Sequence, residues 1–123
     1  MNALNSIILE GVVSKEAKLY EPVEGFKVCK FQIAVTRTYK NRNDESVEEV
    51  SHFDIEVYGT SAEFAEKKAV LGRELRVVGR LKEDTYIEAS EIIKPKPVKV
   101  SRVYVIGEHI EYKKWNSKGE KND

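Results

Sequence analysis

Tyr39 stands between two basic residues in the stretch "TRTYKNR": Arg37 lies two positions before it and Lys40 follows it directly. A second ring, Tyr58, ends the next apolar run. Aromatic rings stack on flat unsaturated groups, and neighbouring cations neutralise anionic ones. An arginine side chain can do both. These residue types therefore favour non-covalent binding of an extended anionic polymer that carries flat bases.

Residue types suited to catalysis or metal binding are sparse. The chain has one cysteine, Cys29, and two histidines, His52 and His109, and it lacks the spacings CxxC, HExxH and GxGxxG as well as a P-loop. The sequence therefore predicts no enzyme, no metal site and no cofactor. A single cysteine cannot form an internal disulfide, which is typical of a reducing compartment and predicts a cytoplasmic protein.

The charges give no global indication of an anionic partner. The 123 residues carry equal numbers of basic and acidic side chains, 21 of each. Residues 1–93 hold 13 basic and 17 acidic residues, whereas residues 94–123 hold 8 and 4. Any basic site must therefore be local. No apolar run approaches the roughly 20 residues that span a bilayer, and the N-terminus lacks the pattern of a signal peptide, so we expect no membrane association.

Two runs alternate clearly, which predicts a core face made of Cys29, Phe31, Ile33 and Val35 in one and of Phe53, Ile55 and Val57 in the other, with Tyr58 directed outward. With three further apolar runs they predict five strands, and a helical stripe predicts one short helix. The predicted strands are 4–14, 27–37, 51–59, 73–81 and 85–93, and the predicted helix is 60–72. Gly11 predicts a bend or a close backbone approach in the first strand. The short connection 82–84 predicts a tight hairpin.

This order predicts an all-β fold: a five-stranded Greek-key barrel of the OB type with one short helix. An SH3-like barrel and an open sheet with one helix remain as alternatives. We expect residues 1–93 to form the barrel and residues 94–115 to add a C-terminal β-hairpin around a Gly107–Glu108 turn. Residues 116–123 are polar and are expected to form a disordered tail.

Residues 4–93 resemble the bacterial single-stranded DNA-binding protein family. The similar features occur in order: an Asn-led apolar run ending in Gly11, a turn at Gly25 before a strand, the Arg37-x-Tyr39-Lys40 shoulder, the Tyr58-Gly59 pair, an "AE" helix, and Gly72 leading to "VVGRL". The resemblance implies an OB fold and sequence-independent binding of single-stranded DNA in replication, recombination and repair. It also implies homo-oligomers, most often homotetramers, and contacts with replication and repair proteins.

The resemblance also implies site residues. Tyr39 and Tyr58 occupy positions where the family carries base-stacking aromatics, and His52 occupies a third. The basic side chains that we expect to contact phosphates are Lys30, Arg37, Lys40, Arg42, Arg76 and Arg80. Structural roles for the two tyrosines, and ordinary cross-strand ion pairs for the basic residues, remain open.

Four departures from the family bear on this hypothesis. Asp54 and Glu56 would each repel phosphate on the expected binding face unless a Lys or Arg neighbours it. The short connection 82–84 indicates that a long hairpin with a further aromatic is deleted, unless Tyr86 or the C-terminal segment compensates. The sequence ends without the family's acidic tip. Segment 98–115, with its aromatics and lysines, would contact DNA or stabilise the barrel or an oligomer.

These departures leave two other functions open. One is a primosomal replication-restart OB adaptor that binds DNA weakly and proteins more strongly, and the other is a protein-interaction module with no role on nucleic acid. The stretch 38–50 is predicted to be a mobile loop. Its first limb is basic and aromatic, with Tyr39, Lys40 and Arg42, and its second limb is acidic.

Overall fold

Five strands form a closed barrel in the computed structural model, which describes residues 2–88 and 98–113. The elements are β1 (Ile7–Val23), β2 (Phe26–Lys40), β3 (Ser46–Tyr58), α1 (Thr60–Lys68), β4 (Glu74–Glu88) and β5 (Val98–Tyr112). The strand order is β1-β2-β3-β5-β4, with β3 parallel to β5 and the other pairs antiparallel. The predicted five-stranded barrel with one short helix is confirmed, and an open sheet is excluded.

Alternate residues of the central strands build the core. On β2, Cys29, Phe31 and Ile33 are buried, and on β3, Ile55 and Val57 are buried. The predicted core faces of these two strands are therefore confirmed. Each fully buried aliphatic side chain contributes about 1.5–3 kcal/mol through removal of apolar area from water.

The helix is shorter than predicted but packs as expected. It ends at Lys68 rather than near Gly72, and its N-cap is Gly59, without the side-chain cap that Thr60 or Ser61 would give. Ala62 and Ala65 are fully buried against the barrel. Small side chains let the helix approach the strands closely, which fixes where β3 ends. In the described part of the chain, no helix is long and apolar enough to cross a membrane.

The predicted mobile loop 38–50 is wrong. β2 continues to Lys40 and β3 starts at Ser46, so the two strands pair without interruption and only residues 41–45 turn. The Asn41 side-chain carbonyl accepts hydrogen bonds from the backbone N–H groups of Asn43 (2.9 Å) and Glu45 (3.0 Å). Polar and charged residues predominate on both faces of this hairpin, and its apolar side chains, Tyr39, Val47 and Val50, do not alternate, so the pattern that indicates a strand is missing from the sequence.

The predicted hairpin at 82–84 and the predicted C-terminal hairpin are also wrong. Lys82, Glu83 and Asp84 lie inside β4 and pair with Tyr104, Val103 and Arg102 of β5. Gly107 and Glu108 form no turn: they lie inside β5, at a bulge opposite the step from Val78 to Gly79. The segment 82–84 lacks the Gly, Asn or Pro that a tight turn needs.

β5 is therefore the fifth strand of the barrel and not an extension, so residues 1–93 do not complete the barrel. β4 and β5 form one long hairpin whose pairing runs from Leu75 with Tyr112 to Glu88 with Val98. The hairpin that the sequence indicated as deleted is present. Residues 89–97, Lys114, Trp115 and the predicted tail 116–123 lie outside the described residues.

Two glycines allow close backbone approach within the barrel. A Cβ at Gly11 would overlap the carbonyl of Ala34, and a Cβ at Gly79 would overlap the carbonyl of Ile106. The close approach predicted for Gly11 is confirmed, and β1 continues through it. At the next residue, Val12, β1 passes from pairing with β4 to pairing with β2.

Candidate nucleic-acid interface

An aromatic row crosses β1, β2 and β3 on the outer face of the barrel. Tyr20 pairs with Val28, and Val28 pairs with Tyr58. The Tyr58 ring is half-buried and lies 5.6 Å from the ring of Phe26, at an interplanar angle of 36°. The outward direction that alternation predicts for Tyr58 is therefore found. Its ring rests on a second aromatic, which fixes its position.

Glu56 lies beside Tyr58 and is buried, with 6% of its surface exposed. The Tyr58 hydroxyl donates to Glu56 Oε1 (3.2 Å), and Arg102 Nη1 donates to Oε2 (3.3 Å). Lys30 Nζ lies 3.9 Å from the same Oε2. A buried carboxylate is tolerated when it is paired and hydrogen-bonded. Burial, followed by the charge of Glu56, raises the pKa of Tyr58.

The repulsion of phosphate expected of unaccompanied carboxylates does not apply to Glu56 and Asp54, because a cation accompanies each. Arg102 Nη2 lies 3.8 Å from Asp54 Oδ2, and the same side chain bonds Glu56. Lys30 adds a second positive charge to this group. The outer face of β2 and β3 is therefore not a bare acidic surface.

The β4–β5 hairpin contributes a second polar group. The buried Tyr104 donates a 2.8 Å hydrogen bond to Asp84 Oδ2, and Lys82 Nζ lies 2.8 Å from Asp84 Oδ1. These two donors, Lys82 first, lower the pKa of Asp84. Burial, and then the bond to Asp84, raises the pKa of Tyr104. The Arg102 guanidinium lies 4.2 Å from the Tyr104 ring centroid, which links this group to Glu56.

Tyr39 and Arg37 form a separate pair near the tip of the β2–β3 hairpin. The guanidinium lies 4.9 Å from the ring centroid, and the ring is 38% exposed. Arg37 also contacts Glu49 (3.5 Å), and Lys40 contacts Asp44 (3.7 Å). Each ion pair is exposed and thus contributes no more than about 1 kcal/mol, so these cations are available to another anion. Arg42 is exposed in the turn.

Tyr39 and Tyr58 lie at opposite ends of the β2–β3 ribbon. Tyr58 pairs with position 28 of β2, so Tyr39 lies roughly 35 Å away along the strand at 3.3 Å per residue. The exposed His52, paired with Ala34, lies between them and has the same outward alternation as Tyr58. His52 and Tyr58 therefore share the outer face of the ribbon, whereas Tyr39, which pairs with Val47, has the alternation of the opposite face, so the three predicted stacking residues do not form one cluster.

Arg76 and Arg80 lie elsewhere, on β4. Arg76 contacts Glu10 at 2.6 Å and Glu111 at 3.3 Å, and Arg80 contacts Glu108 at 3.1 Å. Glu10 is the main cause that raises the pKa of Arg76. The structure thus places these two predicted residues in ion pairs with β1 and β5, not beside Tyr58.

Arg102 and Lys82 were not predicted from the sequence, and they join the site because β3 pairs with β5 and β5 pairs with β4. Tyr20 and Phe26 were also missed, although both rings are exposed beside Tyr58. Tyr86 is exposed on the β4–β5 hairpin. For Arg102, the sequence gives one indication, the mixture of aromatic and basic residues within 98–115. That mixture does not reveal that Arg102 lies beside Glu56.

The described residues offer little for covalent chemistry. Burial raises the pKa of the Cys29 thiol to about 11, so the thiol is protonated at neutral pH and is a poor nucleophile. Within residues 2–88 and 98–113, no three His, Cys, Asp or Glu side chains are placed to hold a metal ion. The arrangement is one of stacking surfaces and cations.

Comparison with known proteins gives one consistent result. Residues 4–113 match the model of the "Single-strand binding protein family". The "Single-stranded DNA-binding protein" of Treponema pallidum (strain Nichols) is 26% identical over 107 residues, which is 87% of this chain and 60% of that protein. That of Aquifex aeolicus (strain VF5) is 29% identical over 107 residues, 87% of this chain and 68% of that protein.

Two solved structures have the same fold. "Plasmodium falciparum SSB complex with ssDNA" has a TM-score of 0.73 at 21% identity and covers 91% of this chain and 96% of its own. A deletion mutant of the single-stranded DNA binding protein from Thermus aquaticus has a TM-score of 0.72 at 19% identity, with 94% of this chain and 52% of that chain covered. This chain therefore spans 60% of the length of the Treponema relative and about half of the Thermus chain.

Proposed function

The chain belongs to the single-strand binding protein family, and from that premise we propose that it binds single-stranded DNA without reading the base sequence. The observation that carries the proposal is the match of residues 4–113, which covers the whole β2–β3 ribbon and the β4–β5 hairpin. The aromatic and cationic side chains on those elements are of the types that such binding requires.

In this proposal the strand follows the outer face of the β2–β3 ribbon. Bases stack on Tyr58 and His52 on this face, and on Tyr39 where the strand passes over the edge of the ribbon near its tip. Each stack contributes about 1–3 kcal/mol. Stacking is indifferent to sequence, because every base has a flat face. The ribbon's length allows several nucleotides to be bound in a row.

Phosphates are neutralised by cations that exchange partners. Arg37 and Lys40 each break an ion pair with an exposed carboxylate and bind a phosphate instead. This exchange costs little because such ion pairs are weak. Lys30 and Arg102 keep Glu56 neutralised while facing the strand. Arg42 adds a charge at the turn. Arg76 and Arg80 remain predicted phosphate contacts for a more distant segment of the DNA. To make these contacts, each has to break its ion pairs with carboxylates of β1 or β5.

A titration with a fluorescent oligodeoxythymidine tests the proposal. We expect saturable binding at low salt, an affinity that increases with oligonucleotide length up to the site size, and a linear decrease of log K with log salt concentration. Tyr39→Ala and Tyr58→Ala each weaken binding by about 1–3 kcal/mol. No saturable binding to any single strand at low salt would refute the proposal.

Self-association is a further part of the proposal. Ile8 and Val12 of β1 are exposed apolar side chains on one strand, and burying them against another copy would gain hydrophobic free energy. We propose a homotetramer, with a dimer as the simpler assembly. Light scattering of the purified chain at micromolar concentration distinguishes these states from a monomer.

The cellular role that we propose is in DNA replication, recombination and repair in the cytoplasm, alongside replication and repair proteins. The lone buried thiol of Cys29 agrees with a reducing compartment. The adaptor hypothesis depended partly on a deleted hairpin, and that hairpin is present. A catalytic role has no candidate nucleophile with a base in the described residues. Direct DNA binding is therefore the function we put forward.

A further inference from the structure

An apolar groove opens beside Tyr58, between β1, β2 and β3. We call it the β1–β2 groove, and it is lined by three aromatic rings, one lysine, two carboxylates and two aliphatic residues: Tyr20, Phe26, Tyr58, Lys30, Glu21, Glu56, Pro22 and Val28. Its volume is about 600 Å³, inside the range of roughly 300–1,000 Å³ that is usual for small-ligand sites. The sequence-predicted site contained Tyr58 and Lys30 but neither Tyr20 nor Phe26.

The rings of this groove remain exposed, although the barrel core is close. Tyr20 is 46% exposed and Phe26 is 44% exposed. Beneath them, Val28 is buried and pairs with both Tyr20 and Tyr58. The walls are therefore aromatic, and the floor is apolar and rigid because it belongs to three paired strands. Such a site suits a flat ring that gives up its water.

The charges around the groove indicate an anionic attachment for that ring. Lys30 Nζ lies 5.2 Å from the Tyr20 ring centroid, at the open side of the groove. Both carboxylates have other partners: Glu56 bonds Arg102 and Tyr58, so its 3.9 Å contact with Lys30 is not its only one, and Glu21 Oε2 accepts a 2.8 Å hydrogen bond from the Gly25 backbone N–H. Lys30 thus offers a cation next to a stacking surface, as a nucleotide requires.

We propose that the β1–β2 groove is a base-binding subsite, in which one nucleobase of a bound single strand inserts between Tyr20 and the Phe26–Tyr58 pair, with its phosphate at Lys30. The proposal rests on the proposed function, and it extends the DNA path from the β2–β3 ribbon across β2 onto β1. The shared residue Tyr58 makes the groove continuous with that ribbon. The DNA then leaves the barrel toward the β1–β2 turn rather than ending at Tyr58.

A photocrosslinking experiment on the unmodified chain tests the placement directly. An oligodeoxythymidine with a single iododeoxyuridine is bound, irradiated and mapped by mass spectrometry, with the label moved along the oligonucleotide. We expect one label position to crosslink to Tyr20 or Phe26. Crosslinks confined to other parts of the chain would overturn the subsite and leave the proposed function standing.

Affinity measurements give an independent readout. Tyr20→Leu and Phe26→Leu keep apolar side chains in the groove but remove the rings, and Phe64→Leu is the matched control, since Phe64 is an equally exposed ring (54%) on the helix. We expect the double variant Tyr20→Leu/Phe26→Leu to bind oligodeoxythymidine about fivefold to a hundredfold more weakly, with an unchanged salt dependence, because stacking and not charge is lost.

The outcomes separate the two proposals. If the double variant and Phe64→Leu both bind like the wild type, the subsite is wrong, and the groove is left as a surface for a protein. If the double variant fails to fold, crosslinking of the wild type decides alone. If the wild-type chain binds no single strand, the proposed function fails, and the subsite fails with it.

Discussion

Arg102 of β5 donates a 3.3 Å hydrogen bond to Glu56 of β3, a carboxylate that is almost fully buried on the outer side of the barrel. The two residues are 46 positions apart in sequence. They meet because β3 and β5 pair in parallel at Ile55–Val105 and Glu56–Ile106. The same guanidinium stacks on Tyr104. One side chain therefore fastens the β4–β5 hairpin to the central ribbon.

Arg102→Met should destabilise the fold and not merely weaken DNA binding. The methionine retains much of the packing volume but leaves Glu56, among the residues that the structure describes, with Lys30 as its one cationic partner. An under-satisfied buried acceptor costs about 1–3 kcal/mol. Urea unfolding followed by circular dichroism measures this as a lower midpoint. The matched variant Arg76→Met removes a partner of the exposed Glu10 and should cost less than about 1 kcal/mol.

A double variant distinguishes charge pairing from packing. In Arg102→Met/Glu56→Gln the buried group is neutral and no longer needs a cation, so part of the lost stability should return. If Glu56→Gln adds its own full cost to that of Arg102→Met, the two side chains are not coupled, and the structural interpretation of Glu56 is wrong.

The sequence predicted the core of the barrel because its strands alternate there. On β2, every second residue from Cys29 to Ile33 is apolar and buried, so period two is visible without knowledge of the partner strands. The short helix was predicted for the same reason, since Ala62 and Ala65 fall on one stripe. The order of the elements and the resemblance to a known family then predicted the type of barrel, but β5, which closes it, was predicted as an extension.

The hairpins that extend beyond the core could not be predicted in this way. Lys82, Glu83 and Asp84 face solvent or one another, so their strand is held by backbone pairing with β5 and by the Tyr104–Asp84 bond. Neither interaction leaves a hydrophobic pattern. The site could be predicted only in part for the same reason. The outward direction of Tyr58 follows from its alternation. The neutralisation of Glu56 depends on Arg102, which is brought near by the non-local pairing of β3 with β5.

The positions of the cations predict their separate contributions to the salt dependence of DNA binding. Each phosphate contact on a single strand contributes about 0.7 to the slope of log K against log salt concentration. Arg37→Gln should lower the slope by about this amount, because Arg37 needs to leave only the exposed Glu49. Arg76→Gln should change it less, because Arg76 is held by Glu10 and Glu111.

Fluorescence titrations of the two variants at four or more salt concentrations provide the comparison. Equal changes of slope for Arg37→Gln and Arg76→Gln would show that the DNA also passes over β4. No change for either would remove both residues from the phosphate-binding set, whatever the absolute affinity.

Asp84 predicts an acid-sensitive contribution to stability. Lys82 and Tyr104 lower the pKa of this carboxyl from its ordinary 3.8, so the folded state favours the ionised form. A lowered pKa gives a stabilisation that is present above the unfolded-state pKa and is lost as the pH falls through the folded-state value. Acidification below about pH 4 should therefore weaken the β4–β5 hairpin through this residue.

Urea midpoints at pH 7 and pH 3 measure the effect. The difference between the two midpoints should be smaller in Asp84→Asn than in the wild type, because the variant has no carboxylate to protonate. Tyr104→Phe removes one of the two hydrogen bonds and should give an intermediate difference. An unchanged difference in both variants would mean that the acid sensitivity originates elsewhere, for example at Glu10, whose pKa is also lowered by Lys113 and Arg76.

Gly79 is predicted to set the register of the β4–β5 hairpin, and with it the position of the outer binding face. Its Cα lies so close to the carbonyl of Ile106 that a Cβ would overlap the oxygen, at the bulge where Gly79 pairs with Gly107. Gly79→Ala should cost about 1–3 kcal/mol, as overpacking of a tight site does. If β4 slides along β5 to relieve the overlap between the new methyl group and the Ile106 carbonyl, Lys82 and Arg102 move relative to Glu56. DNA affinity should then fall further than in Arg102→Met alone.

Gly25→Asn is the matched control. Gly25 has a φ of 87°, but nothing lies within 4 Å of a Cβ there, and asparagine tolerates this backbone region, so the variant should cost less than about 2 kcal/mol and leave the urea midpoint nearer to that of the wild type. Urea unfolding and oligodeoxythymidine titration on both variants give the comparison. If Gly79→Ala unfolds and binds like Gly25→Asn, the close approach at Ile106 does not govern the hairpin register, because the strands accommodate a methyl group without moving the cations of the outer face.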